Sequence, residues 1–293
     1  MRFAPFPLLL ALAAAWSGCT TPPPGAPPGA PPSTVATRGA AAAPRVDAVP
    51  AASAEVRQAL APAGPLRVAL YTGTPTSLLT ATDLRGVGYE LGKELARRLG
   101  VPFQPMVFDK NADVLDAVAS GRADVAFTNA SAERAKQMDF TQPYLIIELG
   151  YLARDEAPVA TLADVDRAGV RVGVTAKSSS DAVLSRDLKN AQVVRAETVN
   201  DGVRMLAAGT LDLYATNKAT LYEMADKLSG ARLLAGSWGV ERHALAIPPG
   251  REKGLPYVRA FVADAMAAGL VQAAVSRAGL RGAAVATEER AGP

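Results

Sequence analysis

The sequence has one cysteine, Cys19, and one histidine, His243. A lone cysteine rules out an internal disulfide framework and any multi-cysteine metal centre. A lone histidine, with no Ser-His-Asp set around it and no phosphate loop elsewhere, offers little for catalysis and reads as a packed or surface residue. Aromatic residues make up 5% of the chain, and neither sign of charge dominates: 31 Lys and Arg stand against 28 Asp and Glu, a net +3. That balance carries no electrostatic footprint for nucleic acid. After residue 19 no apolar run is long enough to span a bilayer, so a one-chain membrane receptor is not expected. What the chain does have is 293 residues at 49% hydrophobic content, enough to bury a core in one large or two modest domains.

The first residues read as a targeting segment. Arg2 supplies a positive start, Phe6 to Trp16 is apolar but too short to cross a membrane, and Ser17-Gly18 precede Cys19. Residues 1–19 resemble a bacterial lipoprotein signal, which implies lipidation of Cys19 and a membrane anchor. Trp16 departs from the aliphatic residue usual three places before such a cysteine. An ordinary secretory signal beside a free thiol is the other reading, and both export the protein. Residues 20–64 are expected to be a disordered Pro/Ala-rich tether. Nine prolines lie from Pro22 to Pro50 among Ala, Gly, Ser and Thr, a composition too poor in large apolar side chains to offset chain entropy. Fully extended, such a tether reaches roughly 140 Å.

From Leu66 the pattern becomes alternating strand and helix. Leu66–Tyr71 reads as a strand, and Gly86-Val87-Gly88 introduces a helix with Leu91, Leu95 and Leu99 on one face, stopped at Gly100. Pro102–Phe108 reads as a strand, Asp113–Ser120 as a helix capped by Asp113, and Ala123–Phe127 as a third strand. This βαβαβ order implies a parallel sheet with helices on both faces. The second half repeats the plan, with strands at Val170–Val174 and Gln192–Arg195. Residues Asp113–Asn129 align without a gap on Asp201–Asn217: helix, glycine (Gly121, Gly209), aspartate (Asp124, Asp212), strand and a closing Thr-Asn recur at one spacing. Two similar lobes imply a cleft between them, and ligands of open α/β sheets bind beyond the carboxyl ends of the strands. Asn129 and Asn217 stand at those ends, where an asparagine also serves as a simple turn former.

On these residues the chain resembles the extracytoplasmic solute-binding proteins of family 3, the amino-acid type of the ATP-binding cassette (ABC) importers. The resemblance runs from Leu66 to about Leu280. It rests on Gly88-Tyr89-Glu90-Leu91, on Ser120-Gly121-Arg122-Ala123-Asp124, and above all on the segment from Ser131 through Glu133-Arg134 and Asp139-Phe140 to Tyr144. It implies an α/β, two-lobed periplasmic-binding-protein fold of type II, each lobe a mainly parallel sheet flanked by helices, joined by two hinge crossings. Lobe 1 is expected at 65–152 plus 244–285, lobe 2 at 153–243, and a flexible tail at 286–293. The crossings are placed around Leu149–Arg154 and Trp238–Ala246, with Tyr257–Ala278 packing helically on lobe 1.

In the family the arginine of that segment grips the ligand carboxylate, which carries over to Arg134 with Ser131 assisting. A planar guanidinium suits the task because it gives one carboxylate two parallel charge-assisted bonds. A structural pairing of Arg134 with Glu133 or Asp139 is the alternative. Lys177-Ser178-Ser179 opens a helix and implies a second anion contact, although serines there also act as plain caps. Asn129, Asn217, Tyr71 and Thr74 complete the ligand-binding set. Tyr144, Tyr151 and Trp238 are further candidates to line the cleft, or else core.

Family members neutralise a ligand ammonium with acids after the first strand and after the strand at Leu211–Ala215. Here those positions are Tyr71 and Asn217, both uncharged. Burying an ammonium without a carboxylate costs several kcal/mol. The expected solute is therefore small, polar and anionic or neutral, such as an organic acid, with an amino acid held through another acid such as Glu148 as the minor case.

The expected role is a non-enzymatic binding protein that needs no cofactor or metal. It is expected to be monomeric, on the periplasmic side of the cell envelope, held to the membrane by its lipid alone and handing its solute to an ABC permease. A sensor role toward a membrane partner and a dehydratase-like enzyme on the same fold are the alternatives.

Overall fold

The computed structural model describes residues 51–80 and 82–287. The signal segment, Cys19, most of the expected tether and all but the first two residues of the expected tail lie outside them. The described residues begin with helix α1 (Ala54–Leu60), followed by β1 (Leu66–Tyr71), α2 (Val87–Leu99), β2 (Phe103–Phe108), α3 (Asn111–Ala119) and β3 (Val125–Asn129). After a short β4 (Asp139–Phe140), the long strand β5 (Leu145–Arg154) leads into a second lobe. That lobe holds β6 (Arg171–Thr175), α4 (Ser179–Asp187), β7 (Gln192–Ala196), α5 (Val199–Ala207), β8 (Leu213–Asn217), α6 (Lys218–Ala225) and β9 (Ala231–Leu233). Strand β10 (Gly239–Ile247) returns to the first lobe, completed by α7 (Leu255–Ala267), α8 (Leu270–Arg277) and β11 (Ala283–Val285).

The strands run in the order β2-β1-β3-β10-β5-β8-β6-β7. In lobe 1, β1 pairs in parallel with β2 and β3; in lobe 2, β6 pairs in parallel with β7 and β8. Between them β5 and β10 form an antiparallel ribbon, from Gly239 opposite Leu149 to His243 opposite Leu145. The ribbon then splays: β10 pairs with β3, His243 opposite Asn129, and β5 pairs with β8, Leu149 opposite Asn217. The two crossings expected from sequence are these strands, and the two asparagines flank them. Separate apolar clusters support the lobes, one around Leu70, Leu95 and Phe261, the other around Val172, Val174 and Leu213.

The internal repeat is reproduced atom for atom. In lobe 1 the Arg67 backbone N–H and Nε donate to Asp124 Oδ2 at 2.8 and 3.0 Å, and Nη2 donates to Oδ1 at 2.6 Å. In lobe 2 Arg171 binds Asp212 through the same three atoms at 2.8, 3.0 and 2.6 Å. Each aspartate ties the turn after a helix to the start of the neighbouring parallel strand.

Three expectations change. Within the span expected to be tether, Ala54–Leu60 is helical: Ser53 caps α1 by accepting from the Val56 N–H, and Leu60 is fully buried against Gly254. Asp113 lies in the first turn of α3, whose cap position is Lys110. The C-terminal helix is two helices, broken at Gly269, where φ is +72°; that left-handed conformation ends α7, and glycine adopts it without strain.

Candidate functional site

A cleft of about 640 Å3, counting the part open to solvent, lies between the lobes at the carboxyl ends of β1, β3, β6 and β8. The loop 72–80 forms one wall. Its carbonyls at Pro75, Thr76 and Ser77 accept from the first N–H groups of α2, those of Val87, Gly88 and Tyr89, at 3.0 to 3.2 Å. This satisfies donors that a helix start leaves free and brings Thr74, Thr76 and Ser77 to the cleft. The approach is close enough that a Cβ on Gly86 would stand 2.1 Å from the Ser77 carbonyl oxygen.

Arg134 follows β3 in a single 3-10 turn. Ser131 Oγ accepts from the Arg134 N–H at 3.3 Å, and Arg134 Nη1 donates to Thr128 Oγ1 and the Asn129 carbonyl at 2.9 and 3.0 Å. Neither alternative partner engages it: Glu133 pairs with Lys136, and Asp139 sits in β4. No carboxylate among the described residues forms an ion pair with Arg134. Burial pushes its pKa down, and the field of Glu241 restores it only in part. The guanidinium lines the cleft and its Nη1 alone is hydrogen-bonded, so Nε and Nη2 are left with the geometry to donate two parallel bonds to an anion.

On the opposite wall, Ser178 caps α4 by accepting from the Asp181 N–H at 3.0 Å. Asn217 caps α6, its Oδ1 accepting from the Thr220 N–H at 3.0 Å. Of the nine residues singled out in the folded part, Tyr71, Thr74, Asn129, Arg134, Ser178, Ser179 and Asn217 line the cleft. Ser131 and Lys177 do not. Ser131 shapes the turn that aims Arg134. Lys177 is exposed and holds φ at +58°, a left-handed conformation in the turn that leads into α4.

Two further residues, Glu241 and His243, neither of them expected from the sequence as part of the site, face the cleft from β10. Ser179 Oγ donates to Glu241 Oε1 at 2.6 Å, while Asn217 Nδ2 and His243 Nε2 donate to Oε2 at 2.9 and 3.1 Å. Burial pushes the Glu241 carboxyl up, but the His243 bond and field, the Ser179 hydroxyl and Arg134 outweigh it and hold it down at about 2. Glu241 is therefore an ionised carboxylate inside the site. His243 Nδ1 is buried without a partner. Glu241 and His243 stand at i and i+2 in β10 and so share one face, with Arg242 between them on the other. The candidate Glu148 lies elsewhere, paired with Lys218 away from the cleft. Tyr144, Tyr151 and Trp238 are packing residues: Tyr144 stacks edge-on against Phe127, and Tyr151 lies 5.9 Å from Trp238 between ring centroids. Among the described residues no group of three or more His, Cys, Asp or Glu is placed to hold a metal.

Known proteins are similar to this chain in sequence and fold. The L-cystine-binding protein TcyJ of Escherichia coli (strain K12) is 24% identical over 197 residues, covering 65% of this chain and 72% of that protein. A mutant of ArgBP from T. maritima superposes with a TM-score of 0.68 at 20% identity, covering 76% of this chain and 97% of that one. The amino acid ABC transporter substrate-binding protein AbpA from Streptococcus pneumoniae, bound to L-arginine, gives a TM-score of 0.67 at 20% identity, covering 75% and 97%. These likenesses show the two-lobed periplasmic-binding-protein fold. The model of one family, the bacterial extracellular solute-binding proteins, family 3, matches residues 66–277. The match bears out the reading of a solute-binding protein rather than an enzyme: the chain belongs to the bacterial extracellular solute-binding proteins of family 3.

Proposed function

We propose that this protein captures a small, polar, carboxylate-bearing solute by closure of the cleft and presents the closed form to an ABC permease, while a lipid on Cys19 holds it at the periplasmic side of the membrane. The observation that carries the ligand class is Arg134, a guanidinium lining the cleft with two donor atoms uncommitted and no ion pair to any described carboxylate. A solute carboxylate completes it with two parallel bonds, and the hydroxyls of Thr74, Thr128 and Ser178 supply weaker polar contacts around it. Organic acids fit this cleft directly.

Glu241 favours a second reading, an amino acid. Tyr71 and Asn217 leave an ammonium without a counter-charge at the positions expected from the family, and Glu241 brings an ionised carboxylate to the site from β10 instead. The names of TcyJ and AbpA support this reading by likeness.

Calorimetry of the wild-type protein against organic acids and amino acids tests both. Arg134→Ala is expected to weaken the best solute roughly 100-fold, the usual scale for truncating one side of a buried charged contact. Unchanged affinity in that variant would overturn the assignment.

A further inference from the structure

The lobe-2 wall that the sequence marked as a second anion contact already holds an anion, and it belongs to the chain. Glu241 Oε1 takes the Ser179 hydroxyl at the start of α4, and Oε2 takes the Asn217 amide at the end of β8. His243, two residues along the same strand, donates to the same carboxylate. Three donors from three elements converge on one buried side chain, whose position in β10 is fixed by pairing with Ile147 of β5. A carboxylate accepts about four hydrogen bonds, so three leave room for one more donor and none for another acceptor.

Resting on the carboxylate reading of Arg134, we propose that Glu241 sets the charge of the solute: the cleft takes a monocarboxylate that also carries a hydrogen-bond donor for Glu241, a hydroxyl or an ammonium, and rejects dicarboxylates. Arg134 on the lobe-1 side accepts one negative charge. A second solute carboxylate reaching the lobe-2 wall would meet Glu241 instead of free donors, and like charges at contact distance in a site shielded from water repel strongly. The chain thus builds its own anion into the position where a dicarboxylate receptor would leave the Ser179 and Asn217 donors open. Discrimination comes from that repulsion as much as from attraction.

The test is calorimetry with 2-hydroxy and 2-amino monocarboxylates against C4 and C5 dicarboxylates, on the wild-type protein, Glu241→Gln and Arg134→Ala. The wild type is expected to bind a monocarboxylate on the order of 100-fold more tightly than any dicarboxylate of similar length. Glu241→Gln keeps the shape, removes the charge, and is expected to narrow that ratio at least about tenfold, a change of about 1.4 kcal/mol. Dicarboxylate binding equal to monocarboxylate binding in the wild type overturns the proposal, as does an unchanged ratio in Glu241→Gln. Should that variant fail to melt cooperatively, the wild-type ratio decides alone. Undiminished binding in Arg134→Ala overturns the Arg134 reading separately, and a wild-type protein that binds no monocarboxylate overturns both.

Discussion

Asp124 and Asp212 occupy equivalent places in the repeat but different environments. The Asp124 side chain is wholly inaccessible and joins two guanidinium groups, Arg67 at 2.6 Å and Arg251 at 2.5 Å. The Asp212 side chain keeps 11% of its exposure and forms its ion pair with Arg171. Removing one member of a buried pair leaves the other charge uncompensated, which costs about 3–5 kcal/mol. Asp124→Ala therefore leaves two arginines without their carboxylate and is expected to lose about that much stability. Asp212→Ala strands one better-solvated arginine and is expected to lose about 1–3 kcal/mol. Urea unfolding of the two variants checks the order; an equal or larger loss for Asp212→Ala would contradict it. The gapless alignment of the two segments revealed the equivalence of these aspartates, whereas the second arginine on Asp124 was hidden because Arg251 arrives from 127 residues away.

At the scale of elements, the junction of α2 with the loop 72–80 decides the shape of the lobe-1 wall. A Cβ at Gly86 would meet backbone, 2.1 Å from Ser77 O and 2.8 Å from Leu78 Cα, so the loop rather than a side chain must move. Gly86→Ala is expected to destabilise by about 1–3 kcal/mol, the usual cost of overpacking, and to weaken solute binding, because Thr74, Thr76 and Ser77 move with the loop. Gly100→Ala is the contrast. Its Cβ meets nothing within 4 Å, and its only penalty is a φ of +69°, so about 1–2 kcal/mol of stability is lost with binding intact. Thermal melts with calorimetry separate the two outcomes.

Elements set by local pattern were legible in the sequence: β1 spans Leu66–Tyr71 as expected, and α2 stops at Gly100. So was half of the site, where strand ends and helix starts place Asn129, Arg134, Ser178 and Asn217. The other half was not, because Glu241 and His243 lie on a returning strand whose face is set by long-range pairing with β3 and β5. Helix α1 was missed for the opposite reason. Its cap at Ser53 is a local signal, but the Ala- and Pro-rich composition around it outweighed seven residues whose main support is Leu60 packing near Gly254.

For the molecule as a whole, contacts between the lobes are made on three levels. At the rim, Lys110 and Glu197 pair at 2.7 Å with both side chains largely in water. Deeper, Tyr71 packs against apolar clusters of both lobes, and Thr74 Oγ1 lies 3.4 Å from Thr220 Oγ1, with both threonines buried. At the hinge, Glu241 binds Ser179 and Asn217. These levels should contribute unequally to closure. An exposed ion pair is worth about 0–1 kcal/mol, so Lys110→Ala is expected to keep solute affinity within roughly fivefold of wild type. The two threonines touch across the inner contact, so the bulk of Thr220→Trp is expected to press on Thr74 and hold the lobes apart. A solute can shift the equilibrium toward closure only by the difference between its affinities for the closed and open forms. With the lobes propped open, contacts to Arg134 on one side and Glu241 and Ser179 on the other no longer form together, and that difference vanishes. Small-angle scattering on Thr220→Trp should then give the same radius of gyration with and without solute, larger than that of the solute-bound wild type. A variant that contracts on solute addition as the wild type does would place closure elsewhere than at the meeting of Thr74 and Thr220.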